Sequence, residues 1–94
     1  MNLSKGTGNH KYKVKVTEPN GKHYTVQFGA KGYTDFTRGA TDEQKKNYLM
    51  RHKATENWND PHTAGFWSRW VLWNKRSVSE SLKSAKNKIK GTGK

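Results

Sequence analysis

Residues 11 to 29 alternate. Tyr12, Val14 and Val16 are interleaved with Lys11, Lys13 and Lys15; after a break, Tyr24, Val26 and Phe28 are interleaved with His23, Thr25 and Gln27. A period of two sends successive side chains to opposite faces of a strand. The pattern therefore predicts two antiparallel strands, each with one apolar face. Glu18-Pro19-Asn20-Gly21-Lys22 joins them. An Asn-Gly pair suggests a two-residue loop, but that loop pairs Val16 with Thr25 and puts the apolar sets on opposite faces. A loop of Pro19, Asn20 and Gly21 pairs Val16 with Tyr24, Val14 with Val26 and Tyr12 with Phe28. Pro19 then takes the first corner, Gly21 the left-handed position, and Glu18 faces Lys22 at the neck.

Downstream the period lengthens. Residues 29–40 are rich in Gly and hydroxyls and read as a loop. Thr41-Asp42-Glu43-Gln44 is a capping box and opens a helix to about Thr55, with Tyr48, Leu49 and His52 as its inner stripe. Pro61 is expected to hold Asp60 out of helix. Thr63 caps a second helix, about Ala64 to Trp73, which carries Phe66, Trp67, Trp70, Val71, Leu72 and Trp73 around most of its circumference. Such a helix is normally buried. Ser77-Val78-Ser79-Glu80 is a second capping box, opening a third helix with Val78, Leu82, Ala85 and Ile89 on one side. The expected fold is α+β: an N-terminal antiparallel β-hairpin packed on three helices in one small domain. Residues 11–90 form that compact basic domain. Residues 1–10 read as a flexible lead-in and 91–94 as a flexible tail.

Composition sharpens this picture. Only 30% of the 94 residues are hydrophobic, but four Trp, four Tyr and three Phe concentrate the apolar area. Each buried aromatic removes about 150–250 Å² from water. The core is expected from Tyr12, Val14, Val26, Phe28, Phe66, Trp67 and Trp70. The chain has no cysteine, so neither a disulfide nor a thiolate metal site is available to it. The polar opening stretch lacks the apolar core of a secretory leader, and no apolar run approaches the roughly 18 residues of a membrane span. The expectation is a protein of the cell interior or the virion that is not secreted.

Charge suggests what it does. Nineteen Lys and Arg against seven Asp and Glu give a net charge of +12. Solubility alone asks for only about 2–8. The excess favours a polyanion. Candidate phosphate contacts are Lys11, Lys13 and Lys15 on the outer hairpin face, Lys31 in the Gly-rich loop, and Lys45, Lys46, Arg51 and Lys53 on the first helix. Lys75 and Arg76 follow the Trp-rich helix, and Lys83 and Lys86 lie on the last. Such contacts give affinity without sequence reading. No zinc-finger, basic-zipper or homeodomain pattern is present. Of the tryptophans, Trp58 has polar neighbours and is expected at the surface, where it can stack on an unpaired base.

One stretch resembles a reactive site: His52, Glu56, Asn57, Asn59, Asp60 and His62. Two histidines beside acids are the raw material of a metal-dependent nuclease. Their spacing fits no metal motif, and a structural hydrogen-bond network is the expected reading. No cofactor is implied.

Read together, four segments resemble a known set of proteins: residues 28–37 (FGAKGYTDFT), 48–52 (YLMRH), 56–59 (ENWN) and 63–75, with Gly65-Phe66-Trp67-Ser68-Arg69-Trp70 the most specific part. They resemble a family of small basic proteins of unknown function from large DNA viruses of algae and amoebae and from some phages. The resemblance spans about Tyr12 to Leu82. It implies a viral protein, in the virion or the infected cell's virus factory, and carries no catalytic residues with it. Two non-enzymatic roles then compete: neutralising genome phosphates, or serving as a minor capsid or cement protein on acidic surfaces of larger shell proteins.

Overall fold

The computed structural model describes residues 2–92. It holds a three-stranded antiparallel sheet and three helices. The order is β1 (Asn2–Lys5), β2 (His10–Thr17), β3 (His23–Ala30), α1 (Asp42–Lys53), α2 (Ala64–Trp67) and α3 (Val78–Thr92). In the sheet β2 is central, between β1 and β3.

The β2–β3 register is the one the apolar pattern requires. Tyr12 pairs with Phe28, Val14 with Val26 and Val16 with Tyr24. Glu18 N donates to Lys22 O at 2.7 Å across the neck, and Gly21 turns at φ 85°. The first residues correct the expectation of an irregular lead-in and a two-stranded hairpin. Asn2–Lys5 is a third strand, with Leu3 opposite Val14. Gly6 N donates to Lys11 O and His10 N to Thr7 O, so a tight turn with Gly8 at φ 60° returns the chain into β2. Leu3 packs against the core cluster, which is why the strand docks.

Each helix is positioned by its cap. Gln44 N donates to Thr41 Oγ1 at 3.1 Å and Thr41 N to Gln44 Oε1 at 2.8 Å, a complete capping box. α1 stops at Lys53, two residues before the expected Thr55. There Thr55 N and Glu56 N both turn back to His52 O, so local backbone bonds end the helix before Pro61 acts. Phe66 N donates to Thr63 Oγ1. Beyond Trp67 the helix widens into a π-helical segment, Ser68–Leu72, with Trp73 N donating to Ser68 O at 3.0 Å. The wider turn brings Trp67, Val71 and Leu72 to the buried side and leaves Trp70 and Trp73 half-buried. α3 is capped by Ser77, whose Oγ accepts from Glu80 N at 3.4 Å. Gly91 and Thr92 continue it; the rest of the expected tail, residues 93–94, lies outside the described residues.

The core lies between one face of the sheet and α2, the π-helical segment and α3. Val14, Val26, Phe28, Phe66 and Trp67 are buried together as expected, with Val16, Val71, Leu72 and Ala85, while Tyr12 and Trp70 pack at its edge. Trp67 satisfies its indole N–H on Pro61 O at 2.7 Å, as a fully buried indole must. Gly29 is held at φ 77°, and a Cβ there would lie 2.8 Å from Leu72 Cδ1. Phe36, Ala40 and Tyr48 are also buried, and Tyr48 stacks on Trp73 with ring centres 4.5 Å apart and planes 7° from parallel. No helix among the described residues is long and apolar enough to cross a membrane.

Candidate nucleic-acid interface

The expected phosphate contacts fall into different environments. Lys11 is withdrawn from the surface. It is 8% exposed, its Nζ lies 2.6 Å from Asp35 Oδ2, and it also donates to Tyr33 O. A lone charge is too costly to bury, so the carboxylate that neutralises it is buried with it. Asp35 in turn accepts from Thr37 N at 2.9 Å and starts the turn Phe36–Arg38. Lys11 is thus a strut between β2 and this loop rather than a phosphate contact. Lys13 and Lys15 do occupy the outer sheet face, opposite Gln27 and Thr25; Lys13 is half-buried and Lys15 exposed. Lys31 is exposed in the loop after β3, and Lys83 and Lys86 lie exposed on α3.

The densest grouping was not visible as such in the sequence. Phe36 sits under two cations: the Arg76 guanidinium carbon is 3.7 Å from its ring centre and Lys45 Nζ is 4.5 Å from it. Lys45 also donates to Asn74 O at 2.7 Å, tying α1 to the segment before α3. Arg76 donates to Phe36 O and Ala40 O and lies 3.7 Å from Asp42. Lys45 is held below the ordinary lysine value, first by burial and then by the positive charge of Arg69, with Arg76 and Lys75 adding to it and Asp42 opposing. Arg69, Arg76 and Lys75 thus each repel the Lys45 ammonium. Lys46 and Lys75 are exposed or nearly so, and Arg51 and Lys53 continue the positive surface toward the end of α1. Lys45 and Arg76 hold the fold and the charge together, while Lys46 and Lys75 are placed to reach outward. Phe36 was missed because one apolar residue in a polar loop carries no periodicity; its signal was the Asp-Phe-Thr-Arg turn itself.

Arg69 is a second residue the charge pattern did not single out. Its guanidinium lies 4.1 Å from the Trp70 ring centre and 5.4 Å from that of Trp58, and it donates to Trp73 O at 2.8 Å. Burial works against its charge. Its Nε is buried without a hydrogen-bond partner among the described residues, and the faces of the two indoles supply the stabilisation. Trp58 is half-buried, like Trp70 and Trp73, rather than the one outlying indole. Its N–H donates to Glu56 Oε1 at 3.0 Å and its carbonyl accepts from Trp70 Nε1 at 2.8 Å.

The histidine-bearing stretch resolves into two separate pairs. Glu56 Oε2 accepts from His52 Nδ1 at 3.0 Å, and His52 stacks on Tyr48. Asp60 Oδ1 accepts from His62 Nδ1 at 3.1 Å and from His62 N at 3.0 Å, and His62 stacks on Tyr24. Those bonds hold the Asp60 carboxyl below its usual range. Asn59 N donates to Asn57 Oδ1 within the same turn. Glu56, Asp60 and the Asn57 amide thus each have a local structural use. Among the described residues no three His, Asp or Glu side chains are grouped to hold a metal ion.

Fold and site together define a small basic α+β protein with a cation cluster built around one phenylalanine. The chain belongs to the family of unknown function DUF5754, whose family model matches residues 4–52. That match takes in β2, β3, the Phe36 turn and nearly all of α1, and it stops before the Trp-rich helix. No curated protein and no solved structure matches the chain.

Proposed function

We propose that this protein is a non-enzymatic binder of nucleic-acid phosphates, acting without sequence preference, and that it is associated with the virion of a large DNA virus. One observation carries the binding reading: Lys45 and Arg76 converge on the Phe36 ring, with the exposed Lys46 and Lys75 beside them in the chain. Like charges held close raise the free energy of the unbound protein, and a polyanion laid across them relieves that repulsion while releasing its own counterions. Four of the seven carboxylates, Asp35, Asp42, Glu56 and Asp60, are already engaged by cationic or histidine side chains of the protein. Asp35 is paired with the buried Lys11, so that carboxylate does not offset the outward-facing lysines. The sequence resemblance supports the viral setting.

The test is binding to a fluorescent duplex as salt is raised from about 50 to 200 mM. Affinity that falls steeply with salt supports phosphate neutralisation. No binding at the lowest salt overturns it and assigns the positive surface to acidic faces of larger capsid proteins. Incubation with plasmid and Mg²⁺ or Mn²⁺ tests the non-enzymatic part; cleavage that disappears in His52→Ala contradicts it.

A further inference from the structure

A cleft of about 840 Å³ opens between α1 and the loop after β3. Small-ligand sites span roughly 300–1,000 Å³. Its floor includes Leu72 and Trp73, and its walls include Asn47 and Arg51 of α1. Tyr33 and Met50 also line it. These two are the large hydrophobic side chains left exposed among the described residues, at 74% and 67%. Scattered exposed apolar residues are ordinary. Two that border the same cleft, one on the loop and one on the helix, call for an occupant.

The chemistry narrows the occupant. An aromatic ring and a polarisable thioether suit a flat π-system. The Asn47 amide offers both a donor and an acceptor, the pattern that matches a base edge. Arg51 is a cation beside Met50, placed for the phosphate that accompanies such a ring. The buried Lys11 ammonium holds the Tyr33 carbonyl, so the ring projects from an anchored backbone rather than a loose loop.

We propose that this cleft receives an unpaired nucleobase of single-stranded nucleic acid, stacked on Tyr33 and Met50, with Arg51 on its phosphate. The proposal rests on the nucleic-acid reading above and adds to it a preference for bases over bare phosphate.

The test compares three labelled probes of equal phosphate number: a thymidine strand, an abasic strand and a duplex. The wild-type protein binds the thymidine strand about tenfold more tightly than the abasic strand, as expected for base stacking. A Tyr33→Ala/Met50→Ala double variant, which removes no charge, loses that preference while its duplex affinity and salt dependence stay unchanged. Equal wild-type affinity for the thymidine and abasic strands overturns the base site and leaves phosphate binding standing. Equal losses on strand and duplex in the double variant also overturn it. Failure of the wild type to bind any probe overturns the nucleic-acid reading itself.

Discussion

Lys11 and Asp35 meet at 2.6 Å inside the protein, 24 residues apart in the chain, and both are nearly inaccessible to solvent. The pair fastens the central strand to the loop that leads into α1. Removing one member leaves the other buried without its close counter-charge, which costs about 3–5 kcal/mol. A small domain has only about 5–15 kcal/mol of stability. Asp35→Asn is therefore expected to bring the protein close to unfolding, read as a large drop in the urea midpoint. A midpoint within error of wild type would remove the pair from the fold's supports.

Trp67 and Trp70 are neighbours in one helix, but they differ in use. Trp67 is fully buried, whereas Trp70 lies between Arg69 and Lys88 at the core's edge. Trp67→Ala is expected to cost about 3–5 kcal/mol, and Trp70→Ala less. Equilibrium unfolding of the two variants checks the order, and a reversed order would contradict the packing described.

Tyr48 gives the fold an alkaline limit. Burial, with Glu56 nearby, raises its phenol well above the ordinary value of about 10. The fold favours the neutral phenol, so the contribution of Tyr48 is complete below about pH 10 and is lost as the pH climbs beyond it. Urea midpoints across that range are expected to fall more in the wild type than in Tyr48→Phe. Equal falls would show that Tyr48 ionises freely in the folded protein.

Gly29→Ala tests the close approach of helix and sheet. The position needs φ 77° and has Leu72 Cδ1 where a methyl would go. The left-handed backbone alone costs an L-residue about 1–2 kcal/mol, and the steric clash adds to it. A lowered thermal midpoint is the expected result; an unchanged one would mean that β3 relaxes at no cost.

The hairpin register was legible because parity is unforgiving: only a loop of Pro19, Asn20 and Gly21 keeps Tyr12, Val14 and Val16 on the face of Tyr24, Val26 and Phe28. The helix starts were legible because Thr41, Thr63 and Ser77 are side-chain caps. β1 was not, since Leu3 alone cannot set a period. Lys11 was misplaced by the same parity that worked elsewhere. Alternation groups it with Lys13 and Lys15, and nothing in the local sequence announces a carboxylate arriving from the loop at Asp35. The basic surface was legible in amount but not in arrangement. That Lys45 and Arg76 converge on Phe36 depends on three segments meeting in space, and pattern along the chain does not report it.

The cluster around Phe36 is proposed to meet phosphate. Its most direct test is the salt dependence of duplex binding for Lys46→Ala/Lys75→Ala, whose substituted side chains take no part in the cation–ring contacts of Phe36, beside Lys15→Ala on the sheet face. The double variant is expected to bind more weakly, with a salt slope lower by about 1 for each phosphate that is no longer neutralised, and Lys15→Ala to have a smaller effect. A double variant that binds as tightly as wild type, with the same slope, would contradict it.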